Sequence, residues 1–567
     1  MLPRNATECI SAVEEGDALT AAAAWYRSHQ DLPVCFDYSE LVQATPTSSR
    51  SPFTNSRNPL CRWKTRSDWE STMGVLRFLI QSASLLESWP EAHCAYISGF
   101  DQSVHTTRVE FEGNLLICRR QVSESGKLNV AWPVPGFGRP VVSTASLPER
   151  QVPYLLPLEL ARGKIVQLRN QYAVWDSAGM LAPVGYAGLN AEAHTLFAKA
   201  VGAQDDLKLC SELADQALQR AFQAAELLSQ SYAQQSLAVR HRRYSQIPTL
   251  VGAYLPHDLN GPWQPHYLDA FNTGAVSVKW RNIEPVEGEY HWELFDAQVD
   301  WCEDNRLVVR GGPLLDLAPQ GMPDWLLRWE SDIWNLQSFV CDFVETAIRR
   351  YQGRVRMWEV AARGNSGGGM ALTEENRLGL VAKALEVARQ VDEEAQLFIR
   401  IDQPWAEYQA RGQHRLSPMQ FADGLIRAGL GLSGINLEIA VGYAPRGSAS
   451  RDLLDYSRLI DLWSVLGLPL HVTLAFPSAS GIDPQANCDL EVGPANWKYG
   501  WSEEAQAEWI DLYLPLLIAK PAVTGVFWNH LSDASPHIFP FAGLINSAGS
   551  PKPALQRIAR HRQNYLK

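Results

Sequence analysis

From Pro248 onward, short apolar runs alternate with longer stretches of helical periodicity. The runs read LVGAYL, AVSVKW, LVVRGG, VRMWEVA, LFIRID, INLEIAV, LHVTLAF and VTGVFW, starting at Leu250, Ala275, Leu307, Val355, Leu397, Ile435, Leu470 and Val523. Each has the composition of a short strand and is followed by an amphipathic segment. That repeat predicts an α/β fold, a closed parallel (β/α)8 barrel (TIM barrel) over 248–567. In such a barrel the functional groups sit at the C-terminal ends of the strands.

Upstream the period changes. Val109 and Phe111 alternate with Arg108, Glu110 and Glu112, and Gly113-Asn114 punctuates before Leu115 and Ile117. Ser125-Gly126 then precedes Leu128, Val130 and Trp132. Period-two alternation broken by turn residues predicts a meander of half-buried antiparallel strands, a small β-sandwich-like domain over 71–154. Such modules often bind carbohydrate beside a catalytic barrel, but a structural module packed on its neighbour is the plainer reading. Between 155 and 247 the period lengthens. Leu218, Phe222, Ala225, Leu228 and Tyr232 recur at spacings of three and four, one face of a long helix in a helical connector. Residues 1–70 read as a helical or irregular segment, with an Ala-rich piece followed by a Ser/Pro/Asn loop.

Composition narrows the partners. The net charge of −12 argues against nucleic acid or an anionic membrane, both of which reward basic surfaces. Nine scattered cysteines show no paired spacing, which predicts reduced thiols and neither a disulfide framework nor a zinc cluster. The first residues, MLPRNATECISAVEEGDAL, lack a signal-peptide core, so the expected location is cytoplasmic. The count of 20 tryptophans is high for this length and raises the prospect of flat apolar faces for sugar rings.

Three passages carry a resemblance. VKWRNIEPVEGEYHWELFDAQVDWCEDN holds Lys279-Trp280, Glu284-Pro285 and Gly288; RGGPLL followed by MPDWL holds Arg310, Gly311, Pro323 and Trp325; GVFWNHLSD and PKPAL close the chain. In order and spacing these resemble the second strand, third strand and barrel exit of glycoside hydrolase family 10, the xylanase-type β/α barrels. The histidine that the family carries in its third strand is Gly312 here. The family is usually secreted, which sits apart from a cytoplasmic reading.

The resemblance also marks what has changed. The family's acid/base ends a fourth-strand motif W-D-V-V-N-E, which reads Trp358-Glu359-Val360-Ala361-Ala362-Arg363 here. Its nucleophile lies in a seventh-strand T-E-L-D, which reads Thr473-Leu474-Ala475-Phe476, putting Leu474 at that place. The sixth-strand G-L-Q-S-H has become Asn436-Leu437-Glu438-Ile439-Ala440. An arginine cannot act as a general acid at accessible pH, so the family's mechanism is not expected. Glu438 and Asp402 are the candidate re-sited acids, and an ion pair between Glu438 and Arg363 is the structural alternative for the first. Lys279 and Trp528 match sugar-contacting positions of the family. Arg363 and Trp405 complete the candidate binding set. GNSGGG (364–369) reads as a flexible rim loop and not a nucleotide site. No cofactor and no metal ligands are expected; His257 and Asp258 after the first strand, and His530 and Asp533 after the eighth, are candidate metal pairs for which a plain hydrogen-bonded reading is preferred.

Three readings stay open at this point. The chain is a carbohydrate-active protein that binds β-linked, xylan-type oligo- or polysaccharides with hydrolysis weak or absent. Alternatively it is an active O-glycosyl hydrolase with re-sited acids, or a scaffold that keeps the fold without sugar. The oligomeric state is not legible in the sequence.

Overall fold

The computed structural model describes residues 74–81, 89–99, 101–244, 246–412, 414–486 and 489–566. The segment expected over 1–70 lies outside the described residues.

Eight short strands come first: β1 (Gly74–Leu79), β2 (Tyr96–Ser98), β3 (Val104–His105), β4 (Thr107–Glu112), β5 (Leu115–Arg120), β6 (Lys127–Ala131), β7 (Val141–Ser143) and β8 (Tyr154–Leu155). They form two sheets, ordered β4-β5-β1-β8 and β3-β2-β6-β7. Leu76, Phe78 and Leu116 of one sheet and Ile97, Leu128 and Val130 of the other meet in one core. The alternation of apolar positions supplies those inward faces.

Three helices follow: α1 (Leu156–Ser177), α2 (Tyr186–Gly202) and α3 (Leu207–Arg243). Asp206 caps α3 by accepting from the amides of Lys208 and Leu209, and four basic residues occupy its last turn, where the helix dipole favours cations. Its periodic face enters three cores in succession. Leu218 and Phe222 join the sheets, Ala225 and Leu228 meet α1 and α2, and Ala233 and Leu237 reach the barrel.

The barrel strands are β9 (Leu250–Tyr254), β10 (Thr273–Val276), β11 (Val308–Gly311), β12 (Met357–Ala362), β13 (Gln396–Asp402), β14 (Leu432–Ala440), β15 (Leu470–Ala475) and β16 (Val523–Trp528). Each apolar run seen in the sequence overlaps one of them. The principal helices after each strand are α4 (Gln264–Ala270), α5 (Glu293–Asp304), α6 (Ile333–Arg350), α7 (Glu374–Val391), α8 (Pro418–Arg427), α9 (Leu453–Ser464), α10 (Glu503–Ala519) and α11 (Pro553–Tyr565). All strand pairs are parallel. The sheet closes where β11 meets β12, with Arg310 opposite Met357 and Gly311 opposite Trp358. A short extension, Leu315–Asp316, runs beside Ala361 and Ala362 and brings Asp316 to the strand ends.

The described residues, all within Thr65–Lys567, belong to one compact unit. The first sheets reach the barrel through Val141 N, which donates to Ser450 O at 2.8 Å, and through Arg139 N to Asn496 O at 2.8 Å. Lys164 of α1 pairs with Asp452 at 2.5 Å, and both side chains are buried. No helix of the described residues is long and apolar enough to cross a membrane. The five cysteines among the described residues are free thiols.

Candidate active site and its cleft

Strand alternation decides which side chains enter the barrel. β13 sends Phe398, Arg400 and Asp402 inward, and β14 sends Asn436 and Glu438. At the deepest level Phe398 stacks on His471, ring centroids 4.0 Å apart, and His471 also touches Phe527. One level up, Glu359 of β12 accepts from Arg310 and from Asn436 Nδ2 at 2.7 Å, and pairs with Arg400 at 2.6 Å. Thr473 Oγ1 donates to Asn436 at 3.0 Å. Gly312 has no room for a side chain. A Cβ at Gly312 would lie 2.3 Å from the carbonyl oxygen of Glu359, and φ there is 111°.

The top level is built on Arg363, which follows β12 with a left-handed φ of 57°. Its Nε and Nη2 donate to the two oxygens of Glu438 at 2.6 and 2.7 Å, and its Nη1 donates to Asp316 at 2.8 Å. Arg400 Nη1 and Asn529 Nδ2 each add a bond to Glu438 Oε1 at 3.1 Å. The ion pair read as the alternative role of Glu438 is therefore present, as a two-pronged fork. Three arginines (Arg310, Arg363, Arg400) face three carboxylates (Glu359, Glu438, Asp316) in this lumen, all buried. Balanced charge is one condition under which buried ions are tolerated, although Arg310 Nε and Nη1 and Arg400 Nε have no hydrogen-bond partner among the described residues.

Burial would push the Glu438 carboxyl up, but the guanidinium groups of Arg363 and Arg400 outweigh it and hold it below the usual value. Asp402 goes the other way. Burial, reinforced by the Glu438 charge, raises it above the usual value. The two residues are register partners on adjacent strands. Ser366 Oγ donates to Asp402 Oδ2 at 3.1 Å, and Asn365 exchanges hydrogen bonds with the Asp402 backbone at 2.9 and 3.1 Å. The glycine-rich rim loop is thus pinned to Asp402 at its start.

A cleft of about 550 Å³ opens above this layer, within the range that suits a small ligand. Its wall includes His257, Lys279, Asp316, Arg363, Asp402 and Phe539. The Lys279 ammonium makes no hydrogen bond or ion pair among the described residues. Burial lowers its pKa, and Asp316 partly opposes the shift. Lys279, Arg363 and Asp402 therefore share the cleft, with Glu438 directly beneath Arg363.

Three positions fall elsewhere. Phe527 faces the lumen, with Arg310 over its ring at 4.1 Å, so its neighbour Trp528 faces the helices. Trp528 is buried, donates Nε1 to Ala542 O at 2.6 Å and lies edge-on to Trp509 of α10, outside the cleft wall. Leu474 shares that outer layer with Trp509, Ile510 and Ile558. Its neighbour Thr473 is the lumen residue, level with Glu438. By alternation β15 offers the lumen His471, Thr473 and Ala475, none of them a carboxylate. Trp405 packs edge-on to Tyr456 at 5.1 Å, with Arg451 over its ring, and is not part of the cleft wall.

Asp316 and Arg400 were not singled out in the sequence. Arg400 is two residues before Asp402 on one strand, so alternation alone places both on the lumen face. Asp316 follows β11 in an irregular stretch where no periodicity points inward.

Residues 269–420 match Glycosyl hydrolase family 10. That span holds Lys279, Arg363 and Asp402 and stops before Glu438. The chain is 23% identical to endo-1,4-beta-xylanase B of Thermotoga neapolitana over 306 residues, 52% of this chain and 81% of the relative. It is 25% identical to endo-1,4-beta-xylanase A of Phanerodontia chrysosporium over 284 residues, 45% of this chain and 66% of that protein. Among solved structures, a family 10 endoxylanase retrieved from a sugarcane soil metagenome aligns with a TM-score of 0.43 and 17% identity, covering 55% of this chain and 97% of that one. The family match, the xylanase relatives and the closed eight-stranded topology make this a (β/α)8 barrel similar to those of glycosyl hydrolase family 10.

Proposed function

We propose that the cleft binds β-linked, xylan-type glycans and that the retaining two-carboxylate chemistry has been lost, so that hydrolysis is weak or absent. The observation that carries this reading is the Arg363–Glu438 fork. A retaining glycosidase needs two carboxyl groups about 5–5.5 Å apart, one able to donate a proton and one free to attack. Arg363 cannot donate a proton, and Glu438 has both oxygens engaged by donors. The open cleft and the unpaired Lys279 support retained binding.

A second reading, hydrolysis with Asp402 and Glu438 as re-sited acids, has one observation in its favour. Their pKa values are driven apart, as an acid and a base require. The engagement of Glu438 weighs against it. The test combines calorimetry with neutral and uronate-bearing xylo-oligosaccharides and the release of reducing ends from xylan. Expected are saturable binding, weakened roughly tenfold by Lys279→Met through loss of a charge-assisted hydrogen bond, and background release. Turnover abolished by Asp402→Asn would establish the re-sited enzyme instead. A parent that binds none of the oligosaccharides would overturn the proposal in favour of a scaffold.

A further inference from the structure

An inner chamber of about 70 Å³ adjoins the cleft and shares Lys279, Asp316 and Arg363 with it. That volume is far below what a whole small ligand takes, and it leaves room for one pendant group. Its wall holds three cations, Lys279, Arg363 and Arg400, against a single carboxylate, Asp316. Asp402 lines the cleft but not the chamber.

The two guanidinium groups are matched within the lumen. Arg363 holds Glu438 and Asp316, and Arg400 pairs with Glu359 at 2.6 Å and with Glu438 at 3.1 Å. The two buried imidazoles of the wall have carboxylates of their own. His537 faces Asp483 at 3.0 Å, and His530, kept neutral by burial that lowers its pKa to about 4, donates to Asp533 at 3.2 Å. Lys279 has no such partner, so its ammonium is the surplus charge of the chamber. Burial lowers its pKa and Asp316 opposes that, while Arg363 and Arg400 add to the lowering. An anion beside Lys279 would offset the repulsion from both guanidinium groups.

The hydrogen bonds point the same way. The hydroxyl of Tyr254, a buried wall residue, accepts from Arg400 Nη2, and its own hydrogen has no acceptor among the described residues. Arg400 Nε has none either. Donors without acceptors, beside a surplus positive charge, are the complement of an oxyanion. The surplus is one charge. A carboxylate matches it, whereas a phosphate monoester carries roughly −1.5 to −2.

We propose that the inner chamber binds the carboxylate of an acidic sugar, a uronate, whose ring lies in the cleft. The place of the ring rests on the glycan reading above; the place of the acid rests on Lys279, Tyr254 and Arg400. The ammonium and the phenol donate to the carboxylate oxygens, and these charge-assisted bonds are stronger than those to a neutral amide.

The test is calorimetry on the full-length protein with glucuronate, its neutral isostere glucuronamide, glucose 6-phosphate and xylotriose. Glucuronate should bind roughly tenfold or more tightly than glucuronamide. Lys279→Met should bring that ratio close to unity, and Tyr254→Phe should lower it severalfold. Lys279→Gln, which keeps a donor and loses the charge, takes its place should the methionine variant not fold. Equal affinity for acid and amide in the parent, or binding of neither, would overturn the proposal. So would a preference that survives both substitutions, which puts the acid elsewhere, or tighter binding of glucose 6-phosphate, which makes this a phosphate site. Xylotriose separates this proposal from the glycan reading. Bound by a parent that shows no preference for the acid, it leaves the glycan reading standing and overturns the chamber. Unbound by a parent that does prefer the acid, it removes the glycan reading and supports the chamber.

Discussion

Arg363 holds two carboxylates at once, so its removal strands both Glu438 and Asp316 in a buried lumen. Arg363→Met is expected to cost about 3–5 kcal/mol at pH 7, read by urea unfolding, because breaking a buried pair leaves charge uncompensated. The deficit should shrink in acid. The folded pKa of Glu438 is lowered from the ordinary value of 4.5, so its stabilisation is complete above that value and is lost as pH falls through the folded one. The parent should therefore lose stability below about pH 4.5, while the variant loses less over the same window. A deficit that stays constant from pH 7 to pH 3 would show that the arginine acts by packing and not by charge.

At the scale of elements, α3 joins three cores and carries one poorly matched group. Asp215 accepts from Trp132 Nε1 at 3.0 Å, yet burial raises its pKa from 3.8 to about 6. A raised carboxyl favours the folded state while protonated, and that advantage is lost as pH rises through the folded value. Above pH 6 the ionised side chain costs up to roughly 3 kcal/mol. Asp215→Asn keeps an oxygen to accept from Trp132 and removes the charge. It should stabilise the protein by about 1–3 kcal/mol at pH 7.5 and by little at pH 4, measured by denaturant midpoints. Equal gains at both pH values would assign the effect to something other than ionisation.

Across the whole molecule, the sheets, the helices and the barrel are tied by buried polar contacts as well as by α3. Asp452 serves twice, pairing with Lys164 of α1 and capping α9 through the amide of Asp455. Lys164→Met should destabilise the unit by about 3–5 kcal/mol, since Asp452 is left buried without its cation. Hydrogen exchange should show the sheets and the barrel opening together in the parent. Exchange from the sheets at a much lower free energy than from the barrel would show that the tie does not couple them.

The eight barrel strands and the face of α3 were legible in the sequence, because each is a local pattern of burial. The ion pair between Arg363 and Glu438 could be anticipated because opposite charges fall at the lumen-facing ends of nearby strands. The facing of Leu474 and Trp528 was decided by the tertiary structure. A shift of one residue turns a strand side chain from lumen to helix layer, and a register shift between Leu470 and His471 is one that motif matching does not see. Trp405 left the candidate set because the loop after β13 turns it onto Tyr456. The charge layers at the mouth depend on strands and loops far apart in sequence converging on one end of the barrel. Only closure of the barrel sets those distances.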